Sequence, residues 1–226
     1  MVTNPAPDTE LTNCPKCGAV QELPGACTVF RAEDSEKLAA LFKGEINLRT
    51  CRECSAKFLL KAPLVFRDDA KRFLVYYMPL GDSDNSAEAE KQMIDLTREL
   101  FGDDDEEMRP TCRLTVTRRR FIEKIALHIH ELNDRLVEYI KFQLYNRKEE
   151  PIDPVRFELL YDFSDSEADK LAFIVYDRET NQPTAAAHLP REVYDDIEAT
   201  FGTTSSLSEE LDMLFPGYVV NADRLL

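Results

Sequence analysis

Glycine is scarce in this 226-residue chain, seven in all and none clustered, which excludes a G-x-G-x-x-G dinucleotide fingerprint and a Walker phosphate loop. No serine lies in a G-x-S-x-G elbow, so hydrolase chemistry of that kind has no support. Of the three histidines, His128 and His130 are two apart and fall on different helical faces, and His188 precedes Leu189-Pro190. None belongs to an H-E-x-x-H zinc pair, and all three read as core-edge or surface residues. Long apolar runs are missing too: Phe73 to Leu80 is far shorter than the roughly 20 residues a membrane helix needs. Met1 to Asn13 is polar and proline-containing, without the apolar and small-residue stretch of a secretory leader, so a soluble, cytoplasmic protein with reduced thiols is expected. Basic residues are the minority, 28 Lys and Arg against 43 Asp and Glu, for a net charge of -15. Such a surface repels phosphate backbones, which disfavours nucleic acid as a partner. The one concentrated basic patch, Arg118-Arg119-Arg120, is expected to meet the chain's own Asp103 to Glu107 run or a protein partner ahead of nucleic acid.

Against these absences stand six cysteines, four of them in two C-x-x-C pairs, Cys14-Pro15-Lys16-Cys17 and Cys51-Arg52-Glu53-Cys54. Two intervening residues let the backbone turn tightly and aim both sulfurs at one ion, and two such knuckles complete a tetrahedral shell. Cys14, Cys17, Cys51 and Cys54 are therefore the predicted ligands of one Zn2+. A shell closed by four thiolates leaves no coordination position for substrate, so the expected role is structural and no enzyme activity is expected. The rival reading of a C-x-x-C pair is thiol redox chemistry. Cys27 and Cys112 lie outside the shell and read as buried apolar thiols.

The hydropathy pattern predicts an α+β chain: a zinc ribbon with a helical insertion, then a mixed helical and antiparallel β region. Residues 1–12 read as a disordered leader, 13–80 as the zinc-ribbon-like domain, and 88–226 as the α+β remainder beyond a polar linker. Between the knuckles, Val20 to Phe30 reads as extended chain broken at Pro24-Gly25, and Asp34-Ser35 opens a short helix with Leu38, Ala39, Leu41 and Phe42 on one face and Gly44 as its stop. Ile46 to Thr50 and Lys57 to Leu60 read as strands flanking the second knuckle, and Phe73 to Met78 as a buried strand. A helix follows from Glu88 to Leu100, and the acidic run Asp103 to Glu107 reads as a solvated loop.

Leu114 to Thr117 alternates like a strand. From Arg118 onward, Ile122, Ile125, Ile129, Leu132, Leu136, Ile140 and Leu144 recur at steps of three or four, which predicts one helix or two helices broken near Asn133. Glu138 and Lys141 read as support on the polar side of that stripe. The stripe packs either on flanking strands or on a second copy of the chain, a homo-oligomer. Val155 to Phe163 and Lys170 to Tyr176 read as an antiparallel hairpin, Pro190 to Phe201 and Ser206 to Phe215 as helices, and Gly217 to Asn221 as a last strand.

Several segments together resemble the CpXC domain, a prokaryotic family named for its cysteine motif. They are Cys14-Pro15-Lys16-Cys17-Gly18, the helical insertion, Cys51-Arg52-Glu53-Cys54, Pro63-Leu64-Val65-Phe66-Arg67-Asp68-Asp69 and the strand ending Met78-Pro79. Phe121-Ile122-Glu123-Lys124 and the segment from Leu132 to Lys141 resemble the region that usually follows that domain. The resemblance spans about two thirds of the chain and implies metal held by the cysteines, without supplying a reaction. The chain departs from the family pattern at Arg52 in place of proline, at Ser55 where glycine usually follows the last cysteine, and at Phe66-Arg67 in place of tyrosine and histidine. Glycine at position 55 would ease a positive-φ turn, so Ser55 predicts a strained second knuckle.

Three functions follow. The first is a non-catalytic zinc protein whose remainder, or the 118–147 helical face, offers a surface to a protein partner. The second is a redox sensor that releases zinc on oxidation, and the third a nucleic-acid-binding ribbon.

Overall fold

A computed structural model of the chain describes residues 9–24, 28–80, 86–101, 110–149, 151–203 and 205–226. The chain divides into two compact units, Met1–Arg118 and Arg119–Leu226. Among the described residues no helix is long and apolar enough to cross a membrane.

In the first unit, β1 (Thr9–Asn13) pairs antiparallel with β2 (Val20–Pro24), with Asn13 opposite Val20 across the first knuckle. The predicted leader at 1–12 therefore gives up its last residues to a strand. β1 has no apolar alternation of its own, since Leu11 is exposed, and it exists because β2 supplies its hydrogen bonds. Next come β3 (Thr28–Arg31) and α1 (Ser35–Phe42). The helix buries Leu38 and Leu41, starts with the Asp34 carbonyl accepting the Leu38 N–H, and ends at Gly44, whose φ of 74° suits glycine. The second knuckle lies between β4 (Leu48–Thr50) and β5 (Lys57–Leu59), again antiparallel.

β6 (Leu64–Asp68) and β7 (Phe73–Tyr77) form an antiparallel pair that turns at Arg72, and their alternating burial puts Leu64, Phe66 and Val75 in the core. α2 (Ser86–Phe101) leads to β8 (Thr111–Thr115). The sheet order is β3-β6-β7-β8, with β3 parallel to β6 and β8 parallel to β7. Parallel neighbours need long crossovers, which α1 with the second hairpin and α2 provide. The two compact units meet in sequence at Arg118/Arg119, because β8 returns the chain to this sheet after α2.

α3 (Arg118–Ile129) leads into the second unit, where α4 (Asp134–Tyr145) follows. The break falls where expected: Asn133 caps α4, its side chain accepting the Arg135 N–H at 3.0 Å. Of the 118–147 stripe, Ile125, Leu132, Leu136, Ile140 and Leu144 are buried in the core, Ile122 is half-buried and Ile129 is exposed. The expected hairpin is present as β9 (Phe157–Tyr161) and β10 (Lys170–Asp177), joined by a strand not foreseen, β11 (Gln182–Pro190), in the antiparallel order β11-β10-β9. α5 (Arg191–Thr203) and α6 (Ser205–Leu214) complete the unit. The expected strand at Gly217 to Asn221 is absent. Gly217 turns the chain at a φ of 81°, and a short 3-10 helix, Ala222–Leu225, follows with Asn221 as its cap.

The core of the second unit is ionic as well as apolar. Glu123, Lys124, Glu138 and Lys141 are each 3 % exposed or less. The Lys124 ammonium lies 2.9 Å from Glu138 and 3.1 Å from Asp134, and the Lys141 ammonium 2.5 Å from Glu123 and 3.1 Å from Glu138. Backbone N–H groups complete the carboxylates: Tyr161 donates to Glu123 and Ala222 to Glu138. Glu138 and Lys141, expected on a solvated face, are thus interior.

Candidate metal centre

Each knuckle is built by the same two backbone bonds. In the first, the Cys14 N–H donates to Ala19 O at 2.9 Å and the Gly18 N–H to Cys14 O at 2.9 Å. In the second, the Cys51 N–H donates to Ala56 O at 2.8 Å and the Ser55 N–H to Cys51 O at 3.0 Å. The residue after the second cysteine must then be left-handed, at φ 72° for Gly18 and 58° for Ser55. The first cysteine of each pair, Cys14 and Cys51, is buried, Cys54 is half-buried and Cys17 exposed.

All four predicted ligands come together. Cys14 Sγ lies 3.7 Å from Cys54 Sγ and Cys17 Sγ 3.7 Å from Cys51 Sγ, each contact crossing from one knuckle to the other, and the four sulfurs all lie within 4.8 Å of one another. Sulfurs about 2.3 Å from a tetrahedral ion are about 3.8 Å apart, whereas a disulfide needs about 2.05 Å. The donor set fits a thiophilic divalent ion, and Cys14, Cys17, Cys51 and Cys54 are the residues that would hold it. Among the described residues this is the one such gathering of Cys, His, Asp or Glu ligand atoms.

The knuckle amides polarise the thiols unequally. The Cys17 N–H, outweighing burial, draws the Cys14 thiol below its ordinary value. The Cys54 N–H does the same for Cys51, lowering it to about 6. At Cys17 the Ala19 amide pulls downward, but the neighbouring Cys54 sulfur, burial and the other two sulfurs together push the thiol up to about 12. Successive thiols in one small cluster cannot all ionise easily without a cation among them.

The remaining candidates stay apart. Cys112 is buried with its thiol toward Pro110 O, as expected of an apolar cysteine, and Cys27 lies outside the described residues. His128 is half-buried, His130 sits at 3.0 Å from the Tyr161 hydroxyl, and His188 pairs with Asp165 at 2.7 Å. The arginine run is engaged within the chain, and the Asp103 to Glu107 run first considered for it lies outside the described residues. Arg118 donates to Ile46 O at 2.9 Å, Arg119 to Glu158 at 3.1 Å, and Arg120 to Glu158 at 2.7 Å and to Asp223. Phe66 is fully buried, and the exposed Arg67 pairs with Asp69 at 2.6 Å, so no imidazole stands at that point of the sheet.

A family model described as CpXC protein matches residues 12–141, more than half of the chain. The chain belongs to the CpXC family. The matched region of this CpXC protein contains both knuckles and the four-stranded sheet, and continues through α3 to Lys141 at the end of the buried ion network. No curated protein matches the chain, and no solved structure does.

Proposed function

We propose that this CpXC protein is a non-catalytic zinc protein, in which one Zn2+ held by Cys14, Cys17, Cys51 and Cys54 staples the β1-β2 and β4-β5 hairpins into a zinc ribbon with a helical insertion. The sulfur spacing carries this reading, because two cross-knuckle contacts of 3.7 Å match the edges of a tetrathiolate shell. A second support is the size of the local core. Its buried members are Cys14, Leu23, Cys51, Phe58, Leu60 and Ala62, so two of them are ligands, and so few apolar groups do not hold a fold without a metal. A saturated shell offers no site for substrate, and the remainder of the chain serves a protein contact rather than a reaction. Nucleic acid is the weaker partner, since Glu158 and Asp223 engage the Arg119 and Arg120 side chains in a chain of net charge -15.

Elemental analysis of protein purified without chelator tests the reading. One zinc per chain is expected, lost in Cys14→Ser and Cys51→Ser and kept in Cys112→Ser. Metal-free protein with native hairpins would overturn it.

The exposure of Cys17 favours one alternative, a thiol sensor that yields its zinc when two thiolates pass two electrons to a peroxide and join as a disulfide. Prompt zinc release by mild peroxide, reversed by thiol reductant, would select it. Zinc that survives the treatment selects the structural role.

A further inference from the structure

β11 is the edge strand of its sheet, and the direction of its backbone groups can be read from its neighbours. On one side of β10, the Asp162 N–H donates to Ala172 O at 2.8 Å, so the even-numbered residues of β10 bond toward β9. Odd-numbered residues then bond toward β11, where Leu171 faces Leu189, Phe173 faces Ala187 and Val175 faces Ala185. The Arg191 N–H, which donates to Asp169 O at 2.8 Å, continues the same alternation. Ala186 and His188 therefore turn their N–H and C=O groups to the open side of β11, where no strand among the described residues meets them.

An open edge is a template for another strand, and proteins commonly blunt it with charge, proline or cover. Residues 182–190 carry no Asp, Glu, Lys or Arg in a chain that is 31% charged, and their prolines stand at Pro183 and Pro190, outside the stretch between. The irregularity opposite Val175/Tyr176 likewise leaves Ala185 to Pro190 regular. Among the described residues nothing covers this edge: Ala185, Ala186 and His188 are exposed, while β10 beside them is largely buried.

We propose that β11 pairs antiparallel with β11 of a second copy of the chain, about a two-fold axis at Ala187, which makes one continuous sheet across both protomers. In that register Ala186 of each copy faces His188 of the other, and each such pair exchanges two backbone hydrogen bonds. The groups that point outward are thus the ones this pairing uses, and the strand is complementary to itself. Charge selects the same occupant: two chains of net charge -15 repel over most of their surfaces, whereas this strand has no acidic or basic residue of its own and the carboxylate on it, Asp165, is paired with His188. The inference is independent of the metal and stands if the zinc reading falls.

Light scattering of the full chain across a concentration series tests it, with far-UV circular dichroism as the check on folding. The wild type should pass to about twice 25.9 kDa as concentration rises. Ala186→Pro removes one outward N–H and none of the bonds to β10, so it should leave the spectrum unchanged and the chain monomeric. Should that variant fail to fold, Ala186→Lys supplies the same comparison by adding a charge to the edge. Register is read separately: Ala187→Cys faces its own copy and should give a disulfide-linked dimer under mild oxidation, which wild type and Ala185→Cys should not. A wild type that stays monomeric, a dimer untouched by either Ala186 variant, or a monomer that instead takes up an extended peptide at this edge would overturn the proposal.

Discussion

Ser55 and Gly18 occupy the same place in the two knuckles, and each must hold a left-handed backbone for the cysteine carbonyl four residues earlier to accept its N–H. Glycine adopts that conformation without steric cost, whereas a serine side chain sits close to the following carbonyl, at roughly 1 kcal/mol. Ser55→Gly should therefore stabilise metal-loaded protein by up to about 0.6 kcal/mol, after the added freedom of the unfolded chain is subtracted. Gly18→Ala should do the reverse by a similar amount. A Cβ at Gly18 meets nothing within 4 Å, so that loss is conformational rather than a clash. Urea unfolding of the zinc-loaded variants checks both, and equal midpoints for all three proteins would show that the knuckles tolerate the strain. The departure from the family at this position was legible in the sequence because the geometry of a C-x-x-C knuckle dictates a positive φ after its last cysteine.

The helices α3 and α4 show where sequence pattern stops being informative. Their apolar stripe and the Asn133 break can be read from spacing alone, since both depend on local periodicity and capping. Burial of Glu138 and Lys141 cannot, because a salt bridge across the core and an exposed one along a helix have the same three-residue spacing. A signal was nonetheless present: Lys141 lies four residues from both Val137 and Tyr145, which are buried, and so shares their face. Lys141→Met would leave Glu123 and Glu138 facing each other around one remaining lysine, and should cost about 3 to 5 kcal/mol in denaturant unfolding. Acid provides a second probe. Burial opposes the charge on Glu138, but Lys124 and Lys141 together with the Ala222 N–H overcome it and hold the carboxyl at about 2, below its ordinary 4.5. A carboxyl lowered in the folded state stabilises above its unfolded value and loses that contribution as pH falls toward the folded one. The second unit should thus weaken between about pH 4.5 and 2, read as a falling urea midpoint. Glu123 works in the opposite direction: burial raises its carboxyl despite Lys141, so its protonation relieves a destabilising charge as pH falls toward 4.5, above the window in which Glu138 acts.

At the scale of the chain, elements with local causes were foreseen and those with non-local causes were not. α1 and the two hairpin strands of β9 and β10 carry their own periodicity. β1 depends on β2 for its bonds, β11 has an alanine run with little strand preference, and the parallel places of β3 and β8 are fixed by crossovers. The same distinction bears on what metal removal should do. β1-β2 and β4-β5 are two-stranded sheets, each too small to persist alone, and the few apolar residues packed between them include Cys14 and Cys51. The second unit has its own buried aromatics and aliphatics, among them Phe121, Leu136, Phe173 and Tyr194, together with an ion network that contains no ligand of the metal. On the proposed zinc reading, metal binding and folding are one equilibrium for the hairpins and separate for Arg119–Leu226. Stripping the metal with a strong chelator should raise amide exchange across 9–24 and 48–59 by at least tenfold, while β9 and β10 exchange at their original rates. Restoring one equivalent of zinc should return the protection, as neither magnesium nor calcium, which favour oxygen ligands, would do. Uniform loss of protection over both units would mean that the chain unfolds as one body, and unchanged protection everywhere that the four thiolates hold nothing together.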